Sequence, residues 1–181
     1  MTRRVLAGVA LLFVMPMLNA ASSTTLGSDD ATRCYQESRL VVSEAGLEFC
    51  NRAIVRGELT RRDLAATYSN RGIINANLGR FTDALADHNK AISLAPDLAE
   101  AYINRGNTYY QTRDFDLAVA DYDKAAAMEA EPRHVPYYNK ALTLIKMKRL
   151  DEAKAAFKEA LVFLPDSRKI KSQLEQLDNY R

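Results

Sequence analysis

The chain has 181 residues, 48% apolar and 27% charged, which is enough to build one packed core and too apolar for wholesale disorder. Seven Gly and five Pro are few for an all-β protein, and stretches rich in Ala, Leu, Asp, Glu and Arg favour helix. The formal charge of +2 falls to zero without Arg3 and Arg4, so the rest of the chain exerts no general attraction on nucleic acid or anionic lipid.

Residues 1–20 have the pattern of a signal peptide. Arg3 and Arg4 give a positive start, and Val5 to Leu18 is almost wholly apolar. That run is shorter than the roughly 20 residues that span a bilayer. Ala20 supplies a small residue before the polar stretch Ala21-Ser22-Ser23-Thr24-Thr25, which puts cleavage after Ala20. Retention as an uncleaved anchor is the alternative. No Cys stands at the cleavage site to accept a lipid. The expectation is a periplasmic or secreted protein without stable membrane insertion after leader removal, and residues 21–30 read as a flexible linker.

Residues 31–64 read as a degenerate repeat followed by a spacer. Cys50-Asn51-Arg52-Ala53-Ile54 parallels His88-Asn89-Lys90-Ala91-Ile92 at an offset of 38 residues. In the spacer, Thr60-Arg61-Arg62-Asp63 has the form of a helix-starting capping box with Asp in the acidic slot.

Three fuller copies follow, at 65–98, 99–133 and 134–167. Tyr68-Ser69-Asn70-Arg71-Gly72 returns as Tyr102-Ile103-Asn104-Arg105-Gly106 after 34 residues and as Tyr137-Tyr138-Asn139-Lys140-Ala141 after 35 more. Ala84, Ala118 and Ala153 share a slot, as do His88, Tyr122 and Phe157, then Ala91, Ala125 and Ala160. Phe81, Phe115 and Leu150 fill another. The shared slots recur at the three- and four-residue steps of one helix face. In the first copy Ala84, Leu85, His88, Ala91 and Ile92 form one apolar stripe. Gly79 lies in the first inter-helix turn, where a left-handed residue without Cβ is unstrained. Arg113 and Lys148 hold the matching turns, at a cost of about 1 kcal/mol each if the conformation is kept. Pro96 and Pro165 stop the second helices. A lone hairpin cannot bury its apolar face, so the copies must stack. Residues 168–181 read as a capping helix with a narrow seam of Ile170, Leu174 and Leu177.

The period, the aromatic-x-x-x-Gly opening and the Ala-x-x-x-aromatic-x-x-Ala core resemble the tetratricopeptide repeat family, here of an exported bacterial type, over about residues 65–167. The resemblance implies an all-α, superhelical solenoid of antiparallel helix pairs with a C-terminal cap. Two departures stand out: Arg71, Arg105 and Lys140 occupy a slot that is usually aliphatic, and Asn75 replaces a Tyr that Tyr109 keeps.

The resemblance also implies a concave groove lined by the first helix of each pair, in which extended peptides or partner helices lie. Carried over by position, the groove residues are Asn70, Asn77, Asn104, Asn107, Tyr110, Gln111, Tyr138, Asn139 and Lys146. Two readings stand for Asn70, Asn104 and Asn139: each holds a peptide group of a ligand, or each bridges neighbouring helices. Tyr110 and Tyr138 are likewise either ligand anchors or inter-repeat contacts. Some relatives grip a partner's C-terminal carboxylate with paired basic residues. The corresponding slots here hold Ala66, Ser69, Glu100, Ile103, Val135 and Tyr138, so that mode is not expected. The implied function is a non-catalytic adaptor or scaffold in the cell envelope with a protein or peptide partner. The alternative is an accessory or regulatory subunit of an envelope enzyme complex.

In the degenerate repeat Cys34 precedes Cys50 by 16 residues, the separation of Gly72 from His88, with residue 42 midway at the expected turn. In an antiparallel hairpin such residues come level. An oxidising compartment would join them, closing a loop worth roughly 3 kcal/mol on the chain-entropy model. Two buried free thiols are the alternative.

No His-Glu-x-x-His, Gly-x-Ser-x-Gly or phosphate-loop motif occurs, so no catalytic residue, metal site or cofactor is assigned. His88 reads as a core residue in an aromatic slot, and His134, near Pro132 and Pro136, as a surface loop residue. Asp83, Asp87, Asp121 and Asp123 read as surface carboxylates.

Overall fold

The computed structural model describes residues 29–40 and 44–179, and among these it contains nine α-helices and no strand. The expected signal peptide, residues 21–28 and the expected turn around residue 42 lie outside the described residues. The helices are α1 (Asp29–Ser38), α2 (Glu44–Arg56), α3 (Arg61–Asn77), α4 (Phe81–Leu94), α5 (Ala99–Thr112), α6 (Phe115–Ala127), α7 (His134–Lys146), α8 (Leu150–Phe163) and α9 (Arg168–Asp178). Asp29 and Asp30 are therefore helical rather than linker. Asp30 is held there by Arg52 and Arg56 of α2, each at 2.9 Å from its carboxylate. The spacer shrinks to 57–60 because the Thr60 hydroxyl accepts from the Asp63 amide at 3.1 Å, starting α3 earlier than the repeat pattern alone suggests.

Consecutive helices pack as pairs: α1 on α2, α3 on α4, α5 on α6 and α7 on α8. The pairs stack in chain order through α2–α3, α4–α5 and α6–α7, and α9 closes the last pair by packing on α8. Ile170 and Leu177 of α9 are buried in the terminal core with Leu174 partly covered, which leaves a charged outer face. The first helices also touch one another, α1 with α3, α3 with α5 and α5 with α7, whereas the second helices do not pack together to that extent. A stack that is closer on one side than the other curves toward the closer side. The first helices therefore form the inner layer.

One contact recurs through every pair. Residues 16 apart face each other across the crossing: Cys34 with Cys50, Gly72 with His88, Gly106 with Tyr122 and Ala141 with Phe157, all of them buried. The partners are complementary in size. A Cβ on Gly72 would lie 2.5 Å from the His88 ring, and one on Gly106 would lie 2.8 Å from the Tyr122 ring, so glycine alone fits opposite those rings. In the first pair the same slot is covalent. Cys34 and Cys50 form a disulfide with their Cα atoms 4.8 Å apart, and it braces the terminal hairpin. The inter-helix turns keep one backbone shape: Gly79, Arg113 and Lys148 all have positive φ, at 75°, 69° and 61°.

Candidate functional site

The nine groove candidates divide by burial. Asn70, Asn104, Asn107, Tyr138 and Asn139 are buried. The Asn104 amide donates to the Ser69 hydroxyl at 3.0 Å, across α5 to α3. The Asn139 amide donates to Asn107 Oδ1 at 2.9 Å, across α7 to α5, and the Tyr122 hydroxyl donates to the same oxygen at 2.9 Å. Thr108 and Thr143, one turn on, return their hydroxyls to the Asn104 and Asn139 carbonyls. These amides tie one first helix to the next. The Tyr138 ring packs against Phe157 with centroids 5.7 Å apart, and the Lys169 ammonium lies 4.8 Å from its centre. Tyr138 is thus an inter-helix contact as well as part of the inner face.

The other four lie at the C-terminal ends of the inner helices. Asn77, Gln111 and Lys146 occupy equivalent positions on α3, α5 and α7, one per repeat, and Gln111 and Lys146 are exposed. Asn77 is half-buried with its amide 3.5 Å from the Leu40 carbonyl. Tyr110 is half-buried, its ring 5.7 Å from that of Phe115, and burial pushes its phenol pKa above the ordinary value. The inner face therefore has a tightly bonded floor and an adaptable rim.

Asp87 and Asp121 are corrections to the sequence reading, because both are buried. Arg71 holds Asp87 with two hydrogen bonds of 2.9 and 2.6 Å, and Arg105 holds Asp121 with two of 2.8 and 2.7 Å. Each guanidinium also donates to an asparagine of the preceding pair, Arg71 to Asn51 and Arg105 to Asn89, both at 2.7 Å. In the third repeat Lys140 meets Asp123 at 2.6 Å. The departure from an aliphatic slot is thus a polar ladder: Arg71 and Arg105 join the two helices of their own pair and reach the pair before, and Lys140 reaches the pair before. Its signal was present as an Arg-to-Asp separation of 16, the same interval as the ring contacts.

His134 is also corrected: it opens α7 rather than lying in a loop, and partial burial lowers its pKa. His88 is fully buried, and neither ring nitrogen has a hydrogen-bond partner. Among the described residues no cluster of His, Cys, Asp and Glu is arranged to hold a metal ion, and no helix is long and apolar enough to cross a membrane.

Comparison with known proteins agrees with this geometry. A tetratricopeptide repeat model matches residues 63–131, and a second tetratricopeptide repeat model matches residues 136–161. No curated protein matches the sequence. Among solved structures, a thermophilic TPR protein of Thermus thermophilus is similar over 83% of this chain and 81% of its own, with a TM-score of 0.69 and 22% identity. MamA (41-end) from Desulfovibrio magneticus RS-1 is similar over 84% of this chain and 86% of its own, with a TM-score of 0.63 and 19% identity. The first TPR of Spaghetti (RPAP3), solved bound to the HSP90 peptide SRMEEVD, is similar over 64% of this chain and 91% of its own, with a TM-score of 0.60 and 19% identity. At these identities the likeness concerns the fold. With the repeat, the stacked pairs and both family segments in agreement, the chain belongs to the tetratricopeptide repeat family.

Proposed function

We propose that this protein is a non-catalytic interaction module that receives a peptide segment or a helix of a partner protein along the inner face of α3, α5 and α7, in the cell envelope. The observation that carries the reading is the asymmetry of the stack: first helices touch, second helices are splayed, and the curved inner layer ends in the row Asn77, Gln111 and Lys146 with Tyr110 beside it. The similar RPAP3 domain, solved bound to an HSP90 peptide, supports use of this fold to bind a peptide. The buried amides of Asn104, Asn107 and Asn139 hold the floor rigid, so that binding orders few protein side chains. The rim residues make the adaptable contacts, Tyr110 as a flat anchor and Gln111 as donor and acceptor. The slots held by Ala66, Ser69, Glu100, Ile103, Val135 and Tyr138 supply no paired Lys and Arg to grip a C-terminal carboxylate, so the favoured ligand is an internal segment. The buried disulfide supports an oxidising compartment, and the leader pattern supports export.

A photo-reactive residue at Gln111, with a control at the exposed Lys124 of α6, tests the reading in envelope preparations. A partner captured from Gln111 and not from Lys124 is the expected result. Equal capture from both positions, or recovery of the protein with reduced cysteines from the cytoplasm only, contradicts it.

A further inference from the structure

Positions 75, 109 and 144 are equivalent in the three repeats and carry Asn, Tyr and Leu. Each follows the recurring cation of its repeat, Arg71, Arg105 and Lys140, by four residues, one helical turn. Leu144 is fully buried. Tyr109 places its ring 5.8 Å from the Arg105 guanidinium, which has the Tyr102 ring 5.6 Å away as well, so Arg105 contacts two rings. Arg71 has the ring of Tyr68 at 5.2 Å. Where a second ring would stand there is Asn75, whose short side chain donates to Asp87 at 3.0 Å. Beside it a cavity of about 290 Å³ opens between α2 and α4, bounded by Leu47, Asn51, Arg71, Asn75, Asp83 and Asp87.

We propose that this cavity is a second binding site, separate from the inner face, that takes a tyrosine side chain presented by a partner protein. The second repeat supplies the template: a phenol ring beside an arginine that is itself clamped by an aspartate. A cavity near the lower end of the about 300–1,000 Å³ range of ligand pockets suits a single ring better than an extended ligand. Leu47 provides an apolar wall, and Arg71 provides a planar cation that already donates to Asp87 and Asn51 and contacts the Tyr68 ring, so that an incoming ring meets it as the second ring, as Tyr109 meets Arg105. Asp87 already accepts from Arg71 and Asn75. Asp83 is the exposed carboxylate on the rim, where the second repeat has Leu117. A carboxylate only accepts, so the site selects a ring that carries a donor, tyrosine over phenylalanine.

The test is an NMR titration of the folded protein with p-cresol, the tyrosine side-chain analogue, and with toluene. The expected result is saturable movement of the backbone amides of Asn51, Asn75 and Asp87 by p-cresol, with toluene about tenfold weaker. Asn75→Tyr, which copies the second repeat, should fill the cavity, melt no lower than the parent protein and abolish the response. Asp83→Leu should make the two probes equivalent. If Asn75→Tyr does not fold, Asn75→Leu, copied from the third repeat, takes its place. No movement of these amides up to the solubility limit of p-cresol overturns the proposal. So does an undiminished response in a folded, cavity-filled variant.

Discussion

His88 sits in the slot that holds Tyr122 and Phe157 in the later repeats, fully buried, with no hydrogen-bond partner for either ring nitrogen. Burial, with a smaller contribution from the Arg105 charge, pushes its pKa down from 6.5 to about 3. The native state therefore holds a neutral imidazole through most of the acidic range, while the unfolded chain takes up a proton below about pH 6.5. A depressed folded-state pKa contributes stability that is complete above the unfolded value and is lost as pH falls toward the folded one. The loss runs at roughly 1.4 kcal/mol per pH unit and reaches on the order of 2.5 kcal/mol by about pH 4.5. His88→Phe removes this term and also removes two unpaired buried nitrogens, a gain of about 1 kcal/mol at neutral pH. Tyr122, opposite Gly106 in the second repeat, shows that a six-membered ring fits this slot across from a glycine. Urea unfolding of both proteins between neutral pH and about pH 4.5 measures the difference, with other titrating groups common to both cancelling. The advantage of His88→Phe should widen steadily as the solution is acidified. Parallel stability profiles across that range would refute the account of His88 as a desolvated, uncharged core residue.

Arg105→Ala leaves Asp121 buried without its two charged donors and should lower stability by about 2–3 kcal/mol. A double-mutant cycle with Asp121→Ala should return a coupling energy well above that of a surface pair. Reduction of Cys34–Cys50, or the Cys34→Ala/Cys50→Ala variant, reopens a loop of separation 16 and should cost roughly 3 kcal/mol. Hydrogen exchange should show the loss concentrated in α1 and α2, with α5 to α8 protected as before. Arg113→Gly and Lys148→Gly relieve left-handed backbones at φ 69° and 61° and should each raise the denaturation midpoint by the equivalent of about 0.5–1 kcal/mol. Gly79→Ala, at φ 75°, should lower it by a similar amount.

The architecture was legible in the sequence because each repeat repeats its packing constraints. Equal spacing of Gly72, Gly106 and Ala141 against His88, Tyr122 and Phe157 is a statement about two helices crossing at one distance, and carrying that interval back to Cys34 and Cys50 leads to the disulfide. The left-handed turns at Arg113 and Lys148 follow likewise from Gly79, since a shared fold imposes the same φ whichever side chain is present. What the sequence could not decide was which polar groups meet. Asn104 has equal capacity for a ligand or a neighbouring helix, and only the approach of α3 to α5 brings Ser69 within 3.0 Å of it. Asp87 and Asp121 share their helices with exposed carboxylates, Asp83 on α4 and Asp116 and Asp123 on α6, and only the packing of each pair brings them onto Arg71 and Arg105. The cavity beside Asn75 belongs to tertiary structure alone, because empty space is defined by what neighbouring elements fail to fill. Periodicity along a chain determines how like units stack; the pairing of side chains between units depends on distances that exist only once they have stacked.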